Sequence, residues 1–190
     1  VCSAHDPSGG AGVQADIEAI AANGAYAVSA LTGLTIQNCH EFLEIQAIDA
    51  LFFEKNLKIL KKFEIKMVKI GLLTTSEQLA LILKYYPNVP IVLDPVLKSG
   101  NQKTLSTANI LQNIQQNLKK IQILTPNWHE IRQLSGEADH NVAAQKISQR
   151  CAVLLTGTDE SVGHQVSHTL WQNGQLTATW LWDKLPYTFH

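Results

Sequence analysis

An α/β fold with a mostly parallel sheet is the architecture this sequence predicts, and three observations carry it. Short apolar runs alternate with stretches of helical periodicity, the pattern of βαβ units. A glycine-rich loop, Asp6-Pro7-Ser8-Gly9-Gly10-Ala11-Gly12, separates the first apolar run from the first helical stretch. Near the C-terminal end, Asn173-Gly174 lies between two further runs, a hairpin signal that predicts antiparallel strands there.

Taken in order, Val1 to Ala4 reads as a first strand and Val13 to Asn23 as a helix, with Gly24 placed to cap its C-terminus. Tyr26 to Ile36, rich in β-branched and apolar residues, reads as a strand. Ile48, Leu51, Phe52, Ile59, Leu60 and Phe63 sit near helical spacing and define the next apolar face. Lys58, Lys61 and Lys62 fall in that helix's last turns, where they complement the helix dipole on a solvated face; a basic binding patch is the other reading. Lys66 to Ile70 is a strand, Ser76 the N-cap of a helix to about Tyr86, and Val89 to Leu93 a buried strand. Helices are expected over Thr107 to Leu118, Asn127 to Leu134 and Asn141 to Gln149, and strands at Ile121 to Leu124 and Ala152 to Leu155. His168 to Trp171 and Leu176 to Trp182 flank the hairpin turn. No internal repeat or linker is found, so residues 1–190 form a single domain.

Composition narrows the function classes. The 190 residues are 45% hydrophobic and 16% charged, ordinary for a globular chain with a sizeable core. A formal net charge of -1 gives no electrostatic drive toward nucleic acid or an anionic membrane. No apolar run approaches the ~18 residues of a membrane span, and the N-terminus lacks a secretion signal's charged flank. Cys2, Cys39 and Cys151 are odd in number and form no Cys-x-x-Cys pair, which argues against a disulfide framework or zinc site and for a reducing, cytoplasmic location. The chain opens at Val1 inside an apolar stretch and closes at His190 after an aromatic run. Both ends read as cuts through a longer protein.

The glycine loop lets backbone approach a ligand closely, and the helix behind it offers free N–H groups and a positive dipole end. Gly10-Ala11-Gly12-Val13-Gln14-Ala15 matches the dinucleotide fingerprint. That fingerprint needs an acidic residue at the end of the second strand, which here runs out as Thr35-Ile36-Gln37-Asn38. A Walker A loop fails too, because no Lys-Ser/Thr follows the glycines.

A more specific pattern is the ordered set Asp6 to Asp16, Gly24-Ala25-Tyr26, Gln37-Asn38, Lys69-Ile70-Gly71-Leu72-Leu73, Val92-Leu93-Asp94-Pro95-Val96, Lys98-Ser99-Gly100 and Thr125-Pro126-Asn127-Trp128-His129-Glu130. In this order it resembles the hydroxymethylpyrimidine/phosphomethylpyrimidine kinases of thiamine biosynthesis, members of the ribokinase-like superfamily. The resemblance covers essentially the whole chain. It implies a three-layer αβα fold, transfer of a phosphoryl group from ATP with Mg²⁺ to 4-amino-5-hydroxymethyl-2-methylpyrimidine and then to its monophosphate, and a homodimer.

Residue chemistry bears on each role the resemblance implies. An aminopyrimidine edge pairs a ring-nitrogen acceptor with an amine donor, and a carboxamide such as Gln37 presents the complement; capping the strand end is the plainer reading. Asp16 is placed by the resemblance beside the substrate pocket, and alternatively complements the helix dipole from the first turn, worth ~0.3–1 kcal/mol. Asp6, Gly10 and Gly12 are assigned to the same pocket, although Asp6 also suits a turn. Asp94, at a strand's C-terminal edge, is assigned to phosphate and metal. Asn127 and Glu130 share a helical face and serve phosphate and Mg²⁺ respectively, or form a capping box, or both. Thr156 and Gly157 fall at the nucleotide phosphates.

Departures from the family pattern are also visible. Family members carry Lys-Gly-Gly-His where this chain has Thr156-Gly157-Thr158-Asp159, removing a charge-assisted contact worth ~1.5–3 kcal/mol. The segment from Val96 to Lys98 is shorter than usual. A histidine like His190 leads in the family into Gly-Thr/Ser-Gly-Cys, the catalytic anion-hole loop, so the catalytic residues are expected beyond His190. The other histidines lack metal-ligand spacing, and the tryptophans suit packing. Three other readings stay open: a pyridoxine or pyridoxal kinase, a pyrimidine-binding module without catalysis, and an NAD-binding reductase resting on the glycine fingerprint alone.

Overall fold

The computed structural model describes residues 1–97, 108–157 and 164–184. Among them, one sheet runs in the order β3-β2-β1-β4-β5-β6-β7-β8-β9. The strands are β1 (Cys2–His5), β2 (Ala30–Gln37), β3 (Phe42–Ala47), β4 (Val68–Ile70), β5 (Ile91–Leu93), β6 (Ile123–Leu124), β7 (Ala152–Thr156), β8 (Gln165–Gln172) and β9 (Gln175–Asp183). From β2 to β7 neighbouring strands are parallel, while β3, β8 and β9 join by antiparallel pairing. The helices are α1 (Gly12–Ala22), α2 (Ala50–Leu60), α3 (Ser76–Tyr85), α4 (Ala108–Asn117), α5 (Trp128–Ser135) and α6 (His140–Ile147).

Strand parity sorts the sheet into two faces. Val68, Ile70, Ile91, Leu93, Leu124, Val153 and Leu155 share one core with Phe53 and Leu57 of α2, Leu79 and Ile82 of α3, Ile110 and Ile114 of α4, Ile131 and Leu134 of α5, and Ile147 of α6. Lys69 alternates with Val68 and Ile70 and so belongs to the opposite face, where Asp16 of α1 meets it. Helices thus cover both sides, giving the expected three layers.

The local signals act as their chemistry requires. Gly24 closes α1 at φ +77°, with its N–H on Ala21 O and the Ala25 N–H on Ile20 O, a Schellman arrangement. Asn173 and Gly174 both take positive φ, and the Gln172–Gln175 pair closes a two-residue hairpin.

Several elements differ from expectation. β3 is a strand beyond those expected; it adds an antiparallel partner at the edge beside β2, so antiparallel pairing is not confined to the C-terminal end. The strand expected from Tyr26 begins only at Ala30, and Tyr26 itself is exposed. The N-cap of α3 is Thr75, one residue before Ser76. The apolar face of α2 is also corrected. Phe53 and Leu57 are buried, with Ile48 and Leu60 against them, whereas Leu51, Phe52, Ile59 and Phe63 are exposed. Apolar residues surround this helix, so periodicity alone cannot choose the side that meets the sheet. Lys98, Ser99, Gly100, Thr158, Asp159 and His190 lie outside the described residues.

Candidate functional site

The chain passes from β1 to β2 on one side, then crosses back to β4 on the other, so a topological switch point lies between β1 and β4. Open α/β sheets bind ligands outside the strands' carboxyl ends at such a point. Asp6 follows β1, Gln37 ends β2, Asp94 follows β5, Asn127 follows β6, and Thr156 ends β7. One edge of the sheet therefore gathers most of the residues singled out in the sequence.

Asp6 organises the glycine loop. It is 3% exposed, and one carboxylate oxygen accepts from the Ser8 N–H at 2.9 Å and the Ser8 hydroxyl at 2.7 Å. The other accepts from the Ala11 N–H at 2.9 Å. Gln14 reaches back from α1, accepting from the Asp6 N–H at 3.2 Å and donating to the Asp6 carbonyl at 2.5 Å. Burial pushes the Asp6 carboxyl up. Hydrogen bonds from the Gln37 side chain, the Ser8 hydroxyl and the Ser8 and Ala11 amides outweigh burial and hold it below the usual carboxylate value. The loop's tightness also fixes Gly12, whose φ is +66° and where a Cβ would stand 2.5 Å from Ala4 O. Gly10 is exposed at the loop's tip.

Gln37 ends β2 at the same edge, near enough to Asp6 to lower the pKa of its carboxyl. A carboxamide there presents an N–H donor and a carbonyl acceptor, the pair that an aminopyrimidine edge complements.

Asp16 lies in the second turn of α1, since the first turn holds no acidic residue, and the dipole reading from the first turn is not what the structure gives. Its carboxylate is ion-paired with Lys69 at 2.7 Å. Lys69 also lies 3.8 Å from Asp94. Burial raises the Asp94 carboxyl above its ordinary value; Lys69 pulls it down and Asp16 pushes it up. The Asp94 side chain keeps 36% of its surface open.

At the other end of the edge, Asn127 caps α5 by accepting the Glu130 N–H at 2.8 Å, and Glu130 returns a bond to the Asn127 N–H at 2.9 Å. The capping box is thus formed. Glu130 is 7% exposed, and its second oxygen faces the Leu97 N–H at 3.4 Å, in the turn that begins at Asp94. Thr156 joins Asn127 by a parallel bridge and donates its N–H to Pro126 O at 2.9 Å. At Gly157 a Cβ would fall 2.5 Å from Ser167 O and 3.1 Å from the Trp128 ring. Packing by itself therefore requires glycine there, whatever binds beside it.

Two working groups escape a reading of the sequence. Lys69 falls inside a motif that gives it no role of its own; a lone charge inside the apolar strand Val68–Ile70 is the signal that finds it. Gln78, fully buried, donates to Thr32 O at 2.7 Å and accepts from the Thr74 N–H at 2.9 Å and the Thr75 N–H at 3.3 Å. It pins the loop after β4 to β2. Nothing in the sequence marks that glutamine as interior.

Suitability for a metal can be judged from the donors. Asp94 offers open carboxylate oxygen, which suits a hard ion such as Mg²⁺, whereas the Glu130 oxygens are held by backbone amides and would join through water. Among the described residues no group of three or more His, Cys, Asp or Glu side chains is placed to hold a metal. No helix among them is long and apolar enough to cross a membrane.

Comparison with known proteins places this geometry. The sequence profile of the phosphomethylpyrimidine kinase family matches residues 6–188. The hydroxymethylpyrimidine/phosphomethylpyrimidine kinase of Aquifex aeolicus is 35% identical over 152 residues, 75% of this chain and 60% of that protein. Its counterpart in Haemophilus influenzae is 28% identical over 181 residues, 93% of this chain and 66% of that protein. A thiamine biosynthesis multifunctional protein of Corynebacterium efficiens is 32% identical over 136 residues, 70% of this chain and 18% of that protein. The chain thus spans between 18% and 66% of the length of these relatives. Among solved structures, a phosphomethylpyrimidine kinase of Clostridium difficile has a TM-score of 0.80 at 23% identity, covering 96% of this chain and 82% of that one. A pyridoxal kinase of Staphylococcus aureus in complex with AMP-PCP has a TM-score of 0.83 at 23% identity, covering 96% and 70%. These likenesses bear out the ribokinase-like fold. With residues 6–188 of its 190 matched by that profile, the chain belongs to the phosphomethylpyrimidine kinase family.

Proposed function

We propose that the protein carrying this chain transfers the γ-phosphoryl group of ATP to the hydroxymethyl group of 4-amino-5-hydroxymethyl-2-methylpyrimidine, and then phosphorylates the monophosphate. The observation that carries the reading is the Gln37 amide at the end of β2, on the sheet edge where Asp6 and the glycine loop follow β1. Its N–H and carbonyl oxygen complement the aminopyrimidine edge. A site built on such bonds rejects analogues that leave its polar groups unpaired. Gly10 and Gly12 line the same pocket, and Asp16 meets the substrate's polar groups.

The nucleotide lies along the carboxyl ends of β5 to β7. Asn127, Thr156 and Gly157 contact its phosphates, and Asp94 and Glu130 are the residues that would hold Mg²⁺. When bound, the ion neutralises charge on the phosphates. Thr156 replaces the family's lysine, so nucleotide binding rests more heavily on backbone and metal. The anion-hole loop is expected beyond His190. The partners are small molecules, with a homodimer as the family expectation and the cytoplasm as the location.

The name of the Aquifex relative supports the pyrimidine reading. The likeness to the pyridoxal kinase favours a second, in which the alcohol is pyridoxal or pyridoxine. A coupled ADP-release assay on the full-length protein, with the pyrimidine and pyridoxal each alone and in competition, separates them. Release that depends on the pyrimidine supports the proposal. Release with pyridoxal only, or with neither, overturns it.

A further inference from the structure

Lys69 is the one charged residue of β4, and it points to the sheet face that carries α1. Its ammonium lies 2.7 Å and 2.9 Å from the two carboxylate oxygens of Asp16 and 3.8 Å from Asp94. Asp16 belongs to the helix behind the glycine loop, and Asp94 to the turn after β5. One cation therefore joins the half of the crevice that holds Gln37 to the half that ends at Thr156.

The three side chains are partly withdrawn from solvent, at 26% exposure for Lys69, 17% for Asp16 and 36% for Asp94. Two carboxylates converging here repel one another without an intervening charge. An ammonium suits the position because it is a compact charge with three donors on a flexible stem, able to serve two acceptors in different directions. One of those donors bonds an Asp16 oxygen at 2.9 Å while the charge pairs with the other at 2.7 Å, so lone pairs of Asp16 stay available to a ligand.

We propose that Lys69 is a positioning residue for phosphoryl transfer, holding Asp16 on the alcohol side and Asp94 on the phosphate side at a fixed separation. The proposal rests on the kinase reading above. Phosphoryl transfer depends mainly on placing the reactants and on charge at the transferring group. A slack spacing between the two carboxylates therefore lowers kcat, while recognition of the ring by Gln37 persists. A tie that only fastened α1 to the sheet would affect melting and nothing else.

The test uses the full-length protein with Lys69→Met and Lys69→Arg. Readouts are thermal melting by circular dichroism, pyrimidine binding by calorimetry without nucleotide, and kcat and KM for the pyrimidine. Loss of an outer partner that orients a ligand-bearing group costs about 10–100-fold in activity, and Lys69→Met is expected in that range, with pyrimidine affinity within about threefold of wild type. Lys69→Arg keeps the charge, but its planar fork commits to Asp16 and does not serve Asp94 as well. It is expected to melt like wild type while losing kcat severalfold. Wild-type kcat in both variants overturns the proposal, as does a loss matched wholly by the unfolded fraction at the assay temperature. If Lys69→Met does not fold, the kcat of Lys69→Arg decides alone. Wild-type protein without pyrimidine-dependent ADP release refutes the kinase reading and the proposal together, whereas an active wild type with indifferent variants refutes the proposal only.

Discussion

Replacing Asp6 by asparagine tests whether one carboxylate holds the glycine loop. One oxygen receives the Ser8 amide and hydroxyl, and the other receives the Ala11 amide. In Asp6→Asn one acceptor survives as a neutral oxygen, and the second becomes an NH₂ group facing an N–H donor. Charge-assisted bonds contribute about 1.5–3 kcal/mol each against about 0.5–1.5 for neutral ones. Losing one outright and weakening two gives a gross cost of about 3–5 kcal/mol, offset in part because a buried charge is no longer desolvated. A net loss of about 2–4 kcal/mol at pH 7 is expected in urea unfolding. The difference must also depend on pH. The folded carboxyl titrates below its unfolded value near 3.9, so its stabilisation is present above that value and is lost as pH falls through the folded pKa. Wild type and variant should therefore converge in acid. A penalty below about 1 kcal/mol at neutral pH, or one that stays constant down to pH 3, would refute the reasoning.

Four further outcomes are expected. Gly12→Ala places a side chain at φ +66° and 2.5 Å from a backbone carbonyl, so it should lose at least the ~1–2 kcal/mol of a left-handed residue, read as a lowered melting temperature. Gln78→Leu strands the Thr74 and Thr75 N–H groups, at ~1–3 kcal/mol each, and urea unfolding should register a loss of about 2–6 kcal/mol. Thr156→Lys in the full-length protein should lower KM for ATP by about tenfold or more, the equivalent of one charge-assisted phosphate contact; an unchanged KM would remove Thr156 from the phosphate site. Burial pushes the Cys2 and Cys151 thiols to about 11, so an alkylating reagent at pH 8 should modify exposed Cys39 alone in the folded chain, as peptide mapping would reveal.

Features set by short-range chemistry are legible in the sequence alone. Asn173-Gly174 specifies its hairpin because few other residues accept two successive positive φ angles. Asn127 and Glu130, three apart, specify the start of α5 because their side chains reach each other's backbone. What depends on distant partners is not legible. β3 carries a strand signal of its own in the alternation Leu43-Glu44-Ile45-Gln46-Ala47, but its antiparallel place is set by the free edge that β2 offers. The buried side of α2 is chosen by the sheet beneath it. Asp16 resembles a dipole-complementing residue until β4 places a lysine against it, and sequence spacing cannot reveal a partner 53 residues away. Gln37 and Asp6 are each assignable to one pocket from their motifs, but their nearness emerges only once β1 and β2 pair.

The Trp128 ring stacks on His140 at 4.1 Å, nearly parallel, and its edge fills the space a side chain at position 157 would need. An indole so confined, directly before the last strand end of the crevice, is a built-in optical probe of events there. Its emission is set by the imidazole against it and by the peptide at Gly157, so a nucleotide settling beside that peptide should change the fluorescence without any added label. A Trp128→Phe variant would report how much of the signal belongs to that ring rather than to Trp171, Trp180 or Trp182.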